Sequence, residues 1–178
     1  ICRVYITPAI KSAGWNNSLI REQYTFTAGK IIVRGKIVER GKKKRADYVL
    51  YYDSKSKMPI AIIEAKDNKH SVGAGMQQGL GYAEALDVPF IYSSNGDGFV
   101  EHDRFTGKER NLSLDQFPTR EELWSRYCSS KNNTSDENKL ILEPYHFGEN
   151  TKDPRYYQRV AINRAIEAVA KGHERLLL

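Results

Sequence analysis

In the run Ile60 to Lys66 (I-A-I-I-E-A-K), one acid and one base interrupt an otherwise apolar stretch. Read as a strand, its side chains alternate between faces. Ile60, Ile62, Glu64 and Lys66 then share one face, and Ala61, Ile63 and Ala65 share the other. Glu64 and Lys66 are neighbours able to serve one site. Burying charge is costly unless it is paired or binds a metal, so something must offset both residues. Asp47 lies on the preceding strand, and a hairpin brings it beside Glu64. Two carboxylates with the Ala65 carbonyl make an all-oxygen site suited to Mg²⁺. Such an ion lowers the pKa of bound water and offsets charge on a phosphodiester in the transition state. Lys66 would orient the attacking water or stabilise the pentavalent phosphate as a point charge. An E-x-K pattern alone is more often a surface ion pair of small weight.

A second group follows at Gln78-Gly79-Leu80-Gly81-Tyr82. Gln78 and Tyr82 are spaced to share one helix face. Their amide and hydroxyl can hydrogen-bond phosphate oxygens. Gly79 and Gly81 are poor helix residues, which suggests that DNA or another backbone comes close. The competing reading packs Tyr82 in the core with its hydroxyl at the surface.

These residues need elements to position them. Pro8 to Ala13 and Ser18 to Tyr24 read as short helical pieces. In the second, Leu19, Ile20 and Gln23 are at helical spacing. Ile31 to Val33 and Gly35 to Val38 read as short strands or the arms of a basic loop. Ala46 to Tyr52 is a strand rich in Val and Tyr, joined to the strand Ile60 to Lys66 as an antiparallel hairpin. Met76 to Leu86 is a helix, Val88 to Ser93 a buried strand, and Phe99 to His102 a strand returning after the turn at Asn95 to Gly98. Thr119 can cap a helix from Arg120 to Tyr127, with Glu122 completing a capping box. Ser129 to Asp136 is polar and reads as a linker or exposed loop. A long helix covers Tyr156 to Lys171, ended by Gly172, and a strand opens at Arg175.

Charge is concentrated rather than spread. The 178 residues carry 28 Lys and Arg against 22 Asp and Glu, for a net +6. The window Lys30 to Arg45 holds eight basic residues and one acid, Glu39, so it carries +7 and the rest sums to −1. A local basic strip is the footprint expected for a polyanion such as double-stranded DNA. Lys36, Arg40, Lys42, Lys43, Lys44 and Arg45 are its candidate phosphate contacts. The alternative is a solvated turn kept soluble by its lysines.

Several classes are excluded. No run approaches the ~18 apolar residues of a membrane span, and no signal peptide is recognisable. Cys2 and Cys128 fit no zinc or redox spacing and read as thiols in a reducing cytoplasm. Ile1 and the apolar end at Leu178 are expected to be cuts in a longer polypeptide.

Asp47, then E-A-K at Glu64 to Lys66, then Q-x-x-x-Y at Gln78 to Tyr82 resembles the PD-(D/E)xK nuclease superfamily. Ala46 stands where that name has Pro. The wording P-A-I-K-S-A-G-W at Pro8 to Trp15, R-A-D-Y-V-L-Y-Y, I-E-A-K and Y-S-S-N-G-D-G-F at Tyr92 to Phe99 is similar to the N-terminus of the R subunit of type I restriction-modification enzymes.

The resemblance implies a restriction-endonuclease-like α/β core, a mixed sheet flanked by helices. It implies Asp47 and Glu64 as metal ligands, Lys66 as the catalytic lysine, and Gln78 and Tyr82 as an auxiliary motif. Glu22 matches an acid that often joins the site from the first helix. His70 and His102 receive no role.

R-Y-Y-Q-R-V-A-I-N-R-A-I at Arg155 to Ile166 resembles the entry helix of a superfamily 2 helicase or translocase. In such motors a Gln placed like Gln158 contacts adenine of ATP. No G-x-x-x-x-G-K-[ST] loop exists in this chain, so ATP hydrolysis is expected only of a longer protein. The resulting division is an endonuclease domain over 1–128, a linker over 129–153 and the start of a motor over 154–178. The family further implies methylation and specificity subunits as partners and S-adenosylmethionine as a cofactor of the assembled complex. Two other readings stand beside it: a repair or recombination nuclease fused to a helicase, and a non-catalytic DNA-binding module of the same fold.

Overall fold

The computed structural model describes residues 1–27, 31–34, 37–40, 43–54, 58–144 and 154–176, and for 31–34 and 37–40 the backbone alone. A helical turn over Cys2–Ile6 leads into α1 (Thr7–Ser12). Then come β1 (Ile20–Thr27), β2 (Ile31–Arg34), β3 (Ile37–Arg40), β4 (Lys43–Tyr51) and β5 (Pro59–Ala65). A 3₁₀ turn precedes α2 (Met76–Leu86). The chain continues through β6 (Phe90–Ser94), β7 (Phe99–Asp103), β8 (Lys108–Leu112), α3 (Arg120–Lys131), α4 (Ser135–Ile141) and α5 (Tyr156–Ala170).

Six strands form one mixed sheet in the order β1-β4-β5-β6-β7-β8, and β2 with β3 forms a separate ribbon. Neighbours are antiparallel except β5 and β6, which run parallel. The parallel pair needs a crossover, and α2 supplies it. The expected antiparallel hairpin of β4 and β5 is present, with Tyr48 opposite Ile63 and Val49 opposite Ile62.

Side-chain alternation in these strands divides the core in two. Tyr48, Leu50, Ala61 and Ile63 pack with Ile10, Trp15, Phe90, Tyr92 and Leu123 on one side. Val49, Ile62 and Ile91 pack with Met76, Ala83 and Leu86 on the α2 side. Trp15 closes the first core by donating from its indole N–H to the Pro118 carbonyl at 3.0 Å.

Several expectations change, and β8 is not expected from the sequence. Ser18 to Tyr24 is not helical: Ile20–Thr27 is the edge strand β1. β8 has almost no apolar residues, so its pairing with β7 leaves no period-two signal. The polar stretch Ser129 to Asp136, expected as a linker or loop, carries the end of α3 and the start of α4, whose Thr134 and Glu137 form a capping box. Thr119 does cap α3 by accepting from the Glu122 N–H, but the Glu122 carboxylate turns to Arg110 instead of closing a box.

α5 lies against the rest of the chain. Arg164 pairs with Asp87 at 2.8 Å and Lys131 with Glu167 at 2.8 Å. Gly172, at φ 76, ends it as expected. Arg175 and Leu176 are not in a strand. Among the described residues no helix is long and apolar enough to cross a membrane.

Candidate active site

The site forms where β4 and β5 meet the start of α2. Asp47 is the next residue after the Tyr48–Ile63 pair, so the antiparallel register sets it opposite Glu64. Its backbone N–H donates to Glu64 Oε1 at 3.3 Å, and its own Oδ2 accepts from the Ala65 N–H at 2.9 Å. Each carboxylate is thus held by the backbone of the other strand.

Glu64 is completely buried. Burial is the main force that pushes its pKa up to about 8, and the Asp47 charge adds to it. The Asp47 N–H and the Lys66 charge oppose that rise. The surroundings therefore disfavour a second negative charge at this pair, and a bound cation would offset that cost.

α2 approaches closely enough to reach this carboxylate. A Cβ added at Gly79 would lie 2.6 Å from Ile91 Cγ2, and one at Gly75 would lie 3.0 Å from Glu64 Cβ. These glycines seat the helix on β5 and β6. A Cβ added at Gly81 would meet nothing within 4 Å among the described residues, so its lack of a side chain serves no close approach.

The seated helix delivers Gln78 and Tyr82. Gln78 Nε2 donates to Glu64 Oε2 at 2.8 Å, and its Oε1 accepts from Lys66 Nζ at 2.8 Å. Gln78 Nε2 also lies 3.0 Å from the Tyr82 hydroxyl. Asp47, Glu64, Lys66, Gln78 and Tyr82 therefore form one connected cluster. Tyr82 is half-buried, its ring edge-on to Phe26 at 5.2 Å.

Glu22 does not join this cluster. It sits on strand β1 rather than on a helix, exposed, opposite Tyr48, whose ring belongs to the core on the other side of the sheet. Its neighbour Gln23 is not among the residues expected from sequence, yet Gln23 Nε2 donates to Asp47 Oδ1 at 3.1 Å. No residue-type signal marks Gln23. Its place follows only from β1 pairing with β4.

Part of the basic strip approaches the same end of the sheet. Lys43 and Arg45 are exposed on β4, and Lys44 Nζ lies 5.5 Å from the Tyr82 ring centroid. Lys36 and Lys42 lie outside the described residues, as does the side chain of Arg40. His70 pairs with Asp67 and His102 with Glu109 on the surface. Gln158 caps α5 by accepting from the Arg155 N–H at 2.9 Å.

The donor set suits a hard cation. Among the described residues no three His, Cys, Asp or Glu side chains come together to hold a metal. The candidate set is two carboxylates and the Ala65 carbonyl. These are oxygen donors, adjacent, with Glu64 in a low-dielectric setting beside a second acid. That chemistry fits Mg²⁺.

The family described as type I restriction enzyme R protein N terminus matches residues 15–118. The type I restriction enzyme EcoAI endonuclease subunit of Escherichia coli is 46% identical over 178 residues, 97% of this chain and 22% of that protein. A solved fragment of a putative HsdR subunit of a type I restriction enzyme from Vibrio vulnificus YJ016 superposes with a TM-score of 0.82 at 45% identity. The match covers 99% of this chain and 33% of that one. The chain thus spans about a fifth of the curated relative and a third of the solved one. The mixed six-stranded sheet with flanking helices is restriction-endonuclease-like, and the chain belongs to the family of type I restriction enzyme R protein N termini.

Proposed function

We propose that this chain is the DNA-cleaving part of a type I restriction enzyme R subunit, hydrolysing phosphodiester bonds with Mg²⁺. The observation that carries the reading is the pairing of Asp47 with a fully buried Glu64, with Gln78 bridging Glu64 to Lys66. A structural ion pair needs no second acid at its centre, and this one raises the electrostatic cost of the fold.

Asp47, Glu64 and the Ala65 carbonyl would hold the ion, which when bound supplies an activated water and offsets phosphate charge. The remaining roles belong to this chain's side chains. Lys66 Nζ, held by Gln78 Oε1, offsets negative charge developing on the phosphate. The Tyr82 hydroxyl and the Gln78 amide bind and orient phosphate oxygens. Lys43, Lys44 and Arg45 hold the duplex by its backbone without reading sequence.

In the longer protein, α5 would lead into an ATP-driven translocase, and methylation and specificity subunits would select the site using S-adenosylmethionine. Gln158 would then leave its capping position to meet adenine. A cytoplasmic location follows from that assignment.

The test is cleavage by the assembled complex carrying Lys66→Ala or Asp47→Ala in the R subunit. Loss of cleavage with ATP hydrolysis retained supports the reading. Cleavage that survives both changes overturns it.

A further inference from the structure

Three non-glycine residues adopt positive φ among the described residues: Gln23 (51°), Asp87 (55°) and Asn132 (54°). Asp87 and Asn132 end α2 and α3, where a left-handed residue is ordinary. Gln23 lies inside a strand, where the same conformation is strained for any residue with a Cβ.

The strain changes what the strand presents. Before Gln23, Ile20 packs in the core on the α1 side. After it, Phe26 packs in the core on the α2 side. Both are even-numbered, so in a regular strand they would share a face. β4 switches at the matching place: Tyr48 belongs to the first core and Ala46 to the second. The residue of β4 between them is Asp47. Gln23 and Asp47 are also the one gap in an otherwise continuous register from Ile20–Leu50 to Thr27–Lys43. At that gap the backbone pairing is replaced by a side-chain bond, Gln23 Nε2 to Asp47 Oδ1 at 3.1 Å. The Asp47 carboxylate is then fixed from two sides, by Gln23 of β1 and by the Ala65 N–H of β5.

We propose that Gln23 is a positioning residue of the cation site. Its left-handed backbone opens the β1–β4 pairing at Asp47, and its amide sets the orientation of that carboxylate. The inference rests on the nuclease-site reading above. A residue with this role aids the site at the expense of the strand, so relieving the strain should not harm the fold.

The experiment uses the full-length R subunit carrying Gln23→Gly, with Asp47→Asn in parallel. Mn²⁺ binding is titrated by electron paramagnetic resonance without ATP, thermal midpoints are recorded, and cleavage by the assembled complex is followed against Mg²⁺ concentration. Gln23→Gly is expected to keep or raise the thermal midpoint, because glycine accepts positive φ. It is expected to weaken the Asp47-dependent Mn²⁺ site about tenfold and to raise the Mg²⁺ needed for half-maximal cleavage about tenfold. Parental Mn²⁺ affinity and Mg²⁺ dependence in Gln23→Gly would overturn the proposal, as would a fall in thermal midpoint that accounts for the lost activity. If Asp47→Asn itself binds Mn²⁺ and cuts like the parent, the nuclease-site reading fails first. If Asp47→Asn fails on both counts while Gln23→Gly does not, only the role of Gln23 is lost.

Discussion

The side-chain amide of Gln78 donates from Nε2 to Oε2 of Glu64 at 2.8 Å. The other end of the same amide accepts from Lys66 Nζ at 2.8 Å. A carboxamide is suited to this bridge because it offers a donor to the carboxylate and an acceptor to the ammonium at once. Gln78 is exposed, but its amide donates to the buried Glu64 carboxyl, so its replacement should cost up to about 1–3 kcal/mol. Gln78→Ala is expected to lower cleavage by roughly 10–100-fold at temperatures where the variant is fully folded. Gln78→Glu should be worse than Ala, because it sets a third carboxylate beside Glu64. Cleavage rates and thermal midpoints of the two variants check this.

The two glycines of the Gln78–Tyr82 segment should respond in opposite ways. A Cβ at Gly79 would meet Ile91 Cγ2 at 2.6 Å, inside the core. Gly79→Ala should cost about 1–3 kcal/mol by overpacking and move α2 off Glu64, lowering cleavage as well. Gly81 has open space around it, so Gly81→Ala should add up to about 1 kcal/mol through helix propensity and leave cleavage alone. Denaturant unfolding and a cleavage assay of each variant decide the matter.

Acid sensitivity should come from the other end of the sheet. Glu101 is buried, which opposes its ionisation, but hydrogen bonds from Arg126, Arg110 and Tyr92 outweigh burial and hold its carboxyl below the ordinary range. Because the folded-state value is depressed, this network stabilises the protein above the ordinary glutamate pKa of ~4.3 and is lost as pH falls through the folded value. Glu101→Gln should cost about 1–3 kcal/mol at neutral pH, since it breaks the charge-assisted hydrogen bonds that the buried carboxylate accepts from Arg126 and Arg110. Its stability should then depend less on pH below ~4.3 than that of the parent. Urea unfolding across acidic pH measures both effects.

Lys43 and Arg45 are exposed on β4 within four residues of Asp47. Replacing both with Gln should weaken DNA binding and reduce the slope of log affinity against log salt by about 2, close to one for each phosphate no longer neutralised. The melting midpoint should be unaffected. Binding isotherms at several salt concentrations supply the slopes.

Residues whose roles depend on local periodicity are legible in the sequence. The alternation over 60–66 brings Glu64 and Lys66 to the same Gln78, and helical spacing puts Gln78 with Tyr82, but Ile60, expected on one face with Ile62, packs in the other core. Long-range strand pairing is only partly legible. The β4–β5 hairpin follows from a short connection, but the spacing of Leu19, Ile20 and Gln23 predicts a helix where β1 stands. The alternation of β1 reverses at Gln23, and that break imitates helical spacing. The imitation draws Glu22 toward the site and leaves Gln23 out. β8 and α4 escape a sequence reading because an exposed edge strand and a polar helix carry little hydrophobic pattern.

Asp47 and Glu64 are proposed to form one cation site together. A crystal of the R subunit soaked in Mn²⁺ and measured at the manganese edge tests it most directly. An anomalous peak is expected between the two carboxylates, with oxygen ligands at roughly 2.0–2.2 Å. A site that stays empty at saturating Mn²⁺, with Asp47 and Glu64 still in their present positions, would contradict it.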